Sequence, residues 1–246
     1  MKHIENPNLP KGRVVLAAIN SEAHDAIANL NSMGIKTINV NRCPDLPAPV
    51  QAHTDLQLLH LGGKSILTPR EHLFIGDIAD LFEIRKINSP LGNKYPEDVR
   101  LNCTLIGDKL ICNPKTVAPE ILEFAAETGL TVVSVNQGYA RCSICVINEN
   151  TIMTDDKSVF TAAGKFLNDV LFISKGSIRL KGYDYGFIGG CCGKIDKDKI
   201  AFNGELASHS DYKLILDFLH RNHIECIELK RGRLDDIGGI IPLCEE

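Results

Sequence analysis

The sequence predicts an α/β fold built as a five-bladed propeller of hairpin–helix–strand units. Three observations carry this: helix-to-strand junctions recur, a β-hairpin precedes each complete unit's helix, and the two chain ends supply the halves of one further unit. The junctions are GIKTINV at Gly34, LFEIRKI at Leu81, GLTVVSV at Gly129, DVLFISK at Asp169 and HIECIEL at His223. They recur at intervals of roughly 40 to 55 residues, the range of repeat architectures. Four units are complete. The first lacks its leading hairpin, and an apolar strand is left over at residues 237–243. Joining these pieces closes the ring, with pseudo-fivefold symmetry around a central pore, and leaves no open edge at the seam. A doubly wound parallel sheet is the alternative. It explains the alternation of strand and helix but not the hairpins.

In order, residues 14–20 (VVLAAIN) form a buried strand, and Ser21 caps a helix over 22–33 with Ile27 and Leu30 at core spacing. Gly34 ends that helix, and 35–40 alternates as a strand. Pro44, Pro47 and Pro49 mark a turn-rich connection. The second unit has strands over 55–61 and 64–68 about Gly62-Gly63, a helix over 71–81 and a strand over 82–87. The third, after a loop at 89–98, pairs 100–106 with 109–113 and continues with a helix over 118–128. There Pro119 occupies the first turn, and Gly129 stops the helix before a strand over 130–135. The fourth turns its hairpin at 148–150 and has a helix over 158–167 and a strand over 170–174. The fifth pairs 185–190 with 199–202, then runs a helix over 211–221 and a strand over 224–229.

Residues 1–12 are read as an N-terminal extension and 13–246 as a single domain. A formal net charge of −4 gives no electrostatic reason to expect nucleic acid or an anionic membrane. No apolar run nears the roughly 20 residues that span a bilayer, and the N-terminus has no signal-peptide core. The expected location is cytoplasmic. Nine cysteines, an odd number without an export signal, read as reduced thiols, most of them small buried hydrophobes.

Four segments, HTDLQLLHLGG, GYARCSICVINENTIMTDD, LKGYDYGFIGG and DIGGIIPL, together with the unit grammar, resemble the pentein fold. That fold is shared by arginine and agmatine deiminases, dimethylarginine dimethylaminohydrolase and amidinotransferases, and is similar to that of ribosome anti-association factors. The segments look most like an uncharacterised bacterial family of the fold. The resemblance implies a cysteine that attacks a guanidinium carbon, a histidine acid/base, and carboxylates that hold the cation. A delocalised cation is a poor electrophile, so it needs such orientation and a facing thiolate. It therefore implies a hydrolase or amidinotransferase acting on a small cationic ligand in the central pore, with no cofactor. A non-catalytic protein binding a ligand or partner at the pore is the alternative, and a homodimer is allowed.

Cys244, after Gly238-Gly239, is the positional match to the family nucleophile, one residue out of register. Cys142, at the start of its strand, is a second candidate. His53 and Asp55, two apart at a strand start, share one face and aim at the pore. Asp184 joins Asp55 as a cation ligand. Arg179 and Lys181 stand where the resemblance calls for histidine or a carboxylate, and two added cations would repel a guanidinium. His209 and Asp211 form an H-x-D that reads as helix capping. A metal or redox reading of Cys142, Cys145, Cys191 and Cys192 is the third option. Strand residues three apart point to opposite faces, which argues against a metal site. The glycines from Gly182 to Gly193 read as permitting close strand packing and a bulge.

Overall fold

The computed structural model describes residues 1–69 and 80–246; all but the last two positions of the helix expected over 71–81 lie outside the described residues. Among the described residues there are five small sheets. Four share one plan, an antiparallel hairpin followed by a parallel third strand. They are β4 (Leu59–Gly62), β5 (Ser65–Thr68) and β6 (Glu83–Lys86); β7 (Thr104–Ile106), β8 (Lys109–Cys112) and β9 (Thr131–Ser134); β10 (Ile144–Asn148), β11 (Thr151–Thr154) and β12 (Asp169–Phe172); and β13 (Cys192–Asp196), β14 (Lys199–Phe202) and β15 (Glu225–Glu228).

The remaining sheet is assembled from both chain ends. Its order is β1 (Lys2–His3), β16 (Ile241–Glu245), β2 (Val14–Asn20) and β3 (Lys36–Val40). Strand β16 runs antiparallel to β2, with Ile241 opposite Ala18 and Glu245 opposite Val14, and β2 runs parallel to β3. It thus takes the place that the first hairpin strand holds elsewhere. Strand β2 is apolar up to Asn20 and buried at nearly every position, as a strand covered on both faces must be.

Residues 1–12 are tied to the sheets. Ile4 is fully buried, its N–H donates to Leu243 O at 3.0 Å, and its carbonyl accepts from Gly63 N at 2.9 Å. Asn8 Nδ2 donates to Leu105 O at 3.1 Å, and Lys11 N and Gly12 N both donate to the Glu245 carboxylate.

Helix α1 (His24–Ser32) starts without a side-chain cap; Asn20, not Ser21, accepts the Glu22 N–H at 2.8 Å. A one-turn helix, α2 (Thr54–Gln57), follows His53. Helix α3 (Pro119–Thr128) has Pro119 in its first turn and Gly129 at φ 71 as its stop. Helix α4 (Lys157–Ala163) is shorter than expected and is capped by Asp156, whose Oδ1 accepts from Ser158 N and Val159 N. Helix α5 (Tyr212–Arg221) buries Ile215, Phe218 and Leu219. Among the described residues no helix is long and apolar enough to cross a membrane.

The main departure from the sequence reading comes before each inner strand. The strand expected over 55–61 begins instead with α2, and that over 100–106 with a turn at Glu97–Val99. Cys142 lies in a turn before β10, where Ser143 N donates to Tyr139 O. Residues 185–190 are not the partner of β14; β13 is, after a turn at Gly189–Cys191. One turn of four residues carries too little periodicity to be told from a short strand.

Candidate active site

These turns carry the site. His53 and Asp55 flank the start of α2, and both are buried, at 3% and 1% exposure. They do not share a strand face: from this helical turn His53 lines the pocket, and Asp55 bonds the Cys142 thiol without lining it. Asp55 N donates to Gly238 O at 3.1 Å. Gly238, at φ 76, passes so close that a Cβ there would lie 2.6 Å from His53 Cα.

Fully buried Asn102 organises the next turn. Its Oδ1 accepts from Arg141 N at 2.8 Å and Cys142 N at 3.3 Å, and its Nδ2 donates to Cys142 Sγ at 3.2 Å. The Cys142 thiol donates to Asp55 Oδ2 at 2.8 Å. From the last turn, Gly190 N donates to Cys142 O at 2.9 Å. A Cβ on Gly190 would collide with the Asp236 carboxylate, so only glycine fits. Asp236 Oδ2 accepts from Phe187 N at 2.9 Å and Oδ1 from Gly238 N at 3.0 Å, while His53 Nδ1 stands 3.8 Å from Oδ1.

Burial raises the Asp55 carboxyl above its usual range, opposed most by His53. Burial also pushes the Cys142 thiol well above the thiol range, and Asp55 and Asp236 add to it. In the free protein the sulfur therefore holds its proton. Asp55 Oδ1 and His53 Nδ1 are buried with no hydrogen-bond partner among the described residues, an unstable condition for polar atoms. A cation set against Asp55 and Asp236 would satisfy the carboxylates and lower the thiol toward ionisation.

The pocket lined by His53, Cys142 and Asp236 has a volume of about 230 Å³. Its walls are largely aromatic, from Tyr139, Tyr183, Tyr185 and Phe187, with Val50 and Leu180. Tyr139 and Phe187 stack at 6.1 Å between centroids. The Tyr139 hydroxyl donates to buried Asp98. No lysine or arginine lines this pocket among the described residues.

Of the expected site residues, Cys142, His53 and Asp184 line the pocket, Asp184 from its exposed rim, while Asp55 is not in its walls and reaches the site through its bond to Cys142. Cys244 does not. It is fully buried on β16 in an apolar cluster with Leu16, Ile38, Val40, Ile66 and Phe82, and burial pushes its thiol up to about 11. The physical reason is the register of β16, which sets Cys244 opposite Leu16 and His3. Arg179 is spent in a bidentate pair with Asp235. Lys181 lines an adjoining cleft of about 480 Å³ with Glu22 and Arg42. His209 accepts from Asp211 N at 3.0 Å, away from the pocket. Cys145, Cys191 and Cys192 belong to an apolar cluster. Asn102 and Asp236 escaped the sequence reading; the one available signal for Asp236 was an acid two residues before Gly238-Gly239.

A family model described as a family of unknown function (DUF6873) matches residues 18–241. No curated protein matches the sequence. Among solved structures, an inosamine-phosphate amidinotransferase of Streptomyces griseus is similar with a TM-score of 0.60 at 10% identity, over 100% of this chain and 97% of its own. An amidinotransferase of Microseira wollei from saxitoxin biosynthesis gives 0.59 at 10% identity, over 92% and 91%. DDAH of Pseudomonas aeruginosa, complexed with citrulline, gives 0.57 at 9% identity, over 93% and 96%. The five small sheets thus form a pentein-like α/β fold.

Proposed function

The chain belongs to the DUF6873 family, and we propose that it is a guanidine-modifying type of enzyme whose nucleophile is Cys142. One observation carries the reading: the pocket-lining Cys142 thiol is bonded to Asp55, whose other oxygen is buried without a partner among the described residues, and no lysine or arginine lines that pocket among them. A guanidinium suits these carboxylates because it offers them paired N–H donors. The like fold of the amidinotransferases and DDAH supports the same class. We read the five sheets as blades of one closed ring, with β16 as the closing strand and the pocket at its centre.

In this scheme the guanidinium binds Asp55 and Asp236, and the thiol proton passes to the pocket base, His53. The thiolate forms a C–S bond to the guanidinium carbon. The C–N bond then breaks, and the amine leaves with the proton from His53. Water attacks the resulting thiouronium and His53 takes its proton; the C–S bond breaks, the sulfur takes the proton that the protonated urea loses, His53 gives its proton to solvent, and a urea-type product leaves. An acceptor amine in place of water gives amidino transfer. Neither route calls for a cofactor.

Binding without turnover is the second reading, favoured by the thiol's raised pKa and its bond to a carboxylate. A 2-haloacetamidine probe separates the two. Covalent labelling of Cys142 at neutral pH, absent in Cys142→Ala, with release of amine from a panel of guanidines, supports the enzyme. Reversible binding of guanidines that survives in Cys142→Ala, with an inert thiol, leaves the binding module.

A further inference from the structure

We propose a second ligand site, for a small oxyanion, at the opposite end of the inner strands from Cys142, with Lys194 as its central cation. Strands β10 and β13 start at the pocket described above and end at this cleft, so five residues of strand, about 16 Å, separate the two. The cleft has a volume of about 490 Å³ and shares no lining residue with the Cys142 pocket. Its walls come from the N-terminal segment, the β10–β11 turn, the β13–β14 turn and the residues after α5.

Lys194 is only 4% exposed, yet it lines this cleft. Its ammonium donates to Ile147 O at 3.0 Å and Lys197 O at 2.5 Å, two neutral acceptors for three protons. Among the described residues no carboxylate pairs with it, nor with Lys11 or Lys197, the other two lysines of the cleft. A buried ammonium without a counter-ion is costly, and removing that cost is what an anion would do.

The charged and titratable groups that face Lys194 are mixed. Lys11, Lys197 and His223 stand on one side of the balance; Glu149, Asp196, Asp198 and the Cys145 thiol stand on the other. Burial outweighs the acids and lowers the Lys194 amine to about 8. Leu9, Pro10 and Ile224 give the cleft an apolar side that suits the organic body of a carboxylate or phosphate ester.

The test is calorimetric titration of the full chain with inorganic phosphate, at constant ionic strength with chloride as the balancing ion. Saturable binding is expected. Lys194→Met should weaken it at least about tenfold, while haloacetamidine labelling of Cys142 stays unchanged. Above pH 8, binding should take up protons, read as a dependence of the heat on the buffer's ionisation enthalpy. Should Lys194→Met not fold, the double variant Lys11→Gln/Lys197→Gln decides by the same loss. A titration without saturation overturns the proposal. So does phosphate affinity that is unchanged in the variants.

Discussion

Cys142 and Asp55, 87 positions apart, are joined by a 2.8 Å hydrogen bond from thiol to carboxylate, and of the two Cys142 lines the aromatic-walled pocket. The bond keeps the sulfur protonated and ties its reactivity to whatever occupies the carboxylate. Asp55→Asn therefore has opposite effects on two reagents. Neutral iodoacetamide should alkylate Cys142 about tenfold faster at pH 7.5, since one pKa unit changes the thiolate fraction about tenfold. A cationic haloacetamidine should react more slowly than with the native chain. Mass spectrometry of time courses reads both, and equal changes for the two reagents would refute the coupling.

Gly238 and Gly129 both hold positive φ, at 76 and 71, but only Gly238 has neighbours in the way. Gly129→Ala should cost the left-handed penalty alone, about 1–2 kcal/mol. Gly238→Ala must also displace His53, so its cost should exceed that by at least about 1 kcal/mol. Urea unfolding of the two variants checks the difference.

Asp155 is buried, and burial pushes its carboxyl up to about 7, with Lys175 opposing and Asp156 adding. A raised carboxyl favours the protonated folded state. Its contribution is complete below the unfolded value near 3.8 and is lost as pH rises toward 7. Asp155→Asn should remove this slope and be more stable than the native chain at pH 8, by on the order of 2–4 kcal/mol. His60 acts in the reverse sense. Burial lowers it to about 4, so its contribution is lost as pH falls from about 6.5 to 4. Unfolding free energies measured from pH 4 to 8 test the Asp155 slope, and an Asp155→Asn curve parallel to the native one would contradict it.

Cys244 serves the core. Cys244→Ser places a hydroxyl in the apolar cluster of Leu16, Ile38 and Phe82 and should cost about 1–3 kcal/mol. It should leave Cys142 labelling unaltered. Loss of labelling in a folded Cys244→Ser chain would reinstate Cys244.

The sheets were legible because their signals are repetitive: a hairpin turn at Gly62-Gly63, a helix stop at Gly129, a first unit without its hairpin and an apolar strand left over at 237–243. The pairing of 240–243 with 14–18 follows from counting those units, and in the structure 241–245 pairs with 14–18. At the site, His53, Asp55 and Cys142 stood out as residue types. The reason given for them was incomplete, since a helical turn and not a strand face aims His53 and Asp55. Asn102 and Asp236 were invisible for a physical reason. An asparagine becomes an organiser only when two amides and a sulfur from residues 141–142 converge on it. Asp236 matters only because Gly190 leaves room for its carboxylate.

Strand β16 lies between β1 and β2, so the middle of the first sheet is synthesised only after the strands of the other four sheets. Until then the apolar edge of β2 has nothing to pair with, while the other four sheets are already made from nearby sequence. During synthesis that waiting edge is the stretch a holdase chaperone would cover. Any release of residues 241–245 in the finished molecule returns the chain to the same sticky, half-made condition.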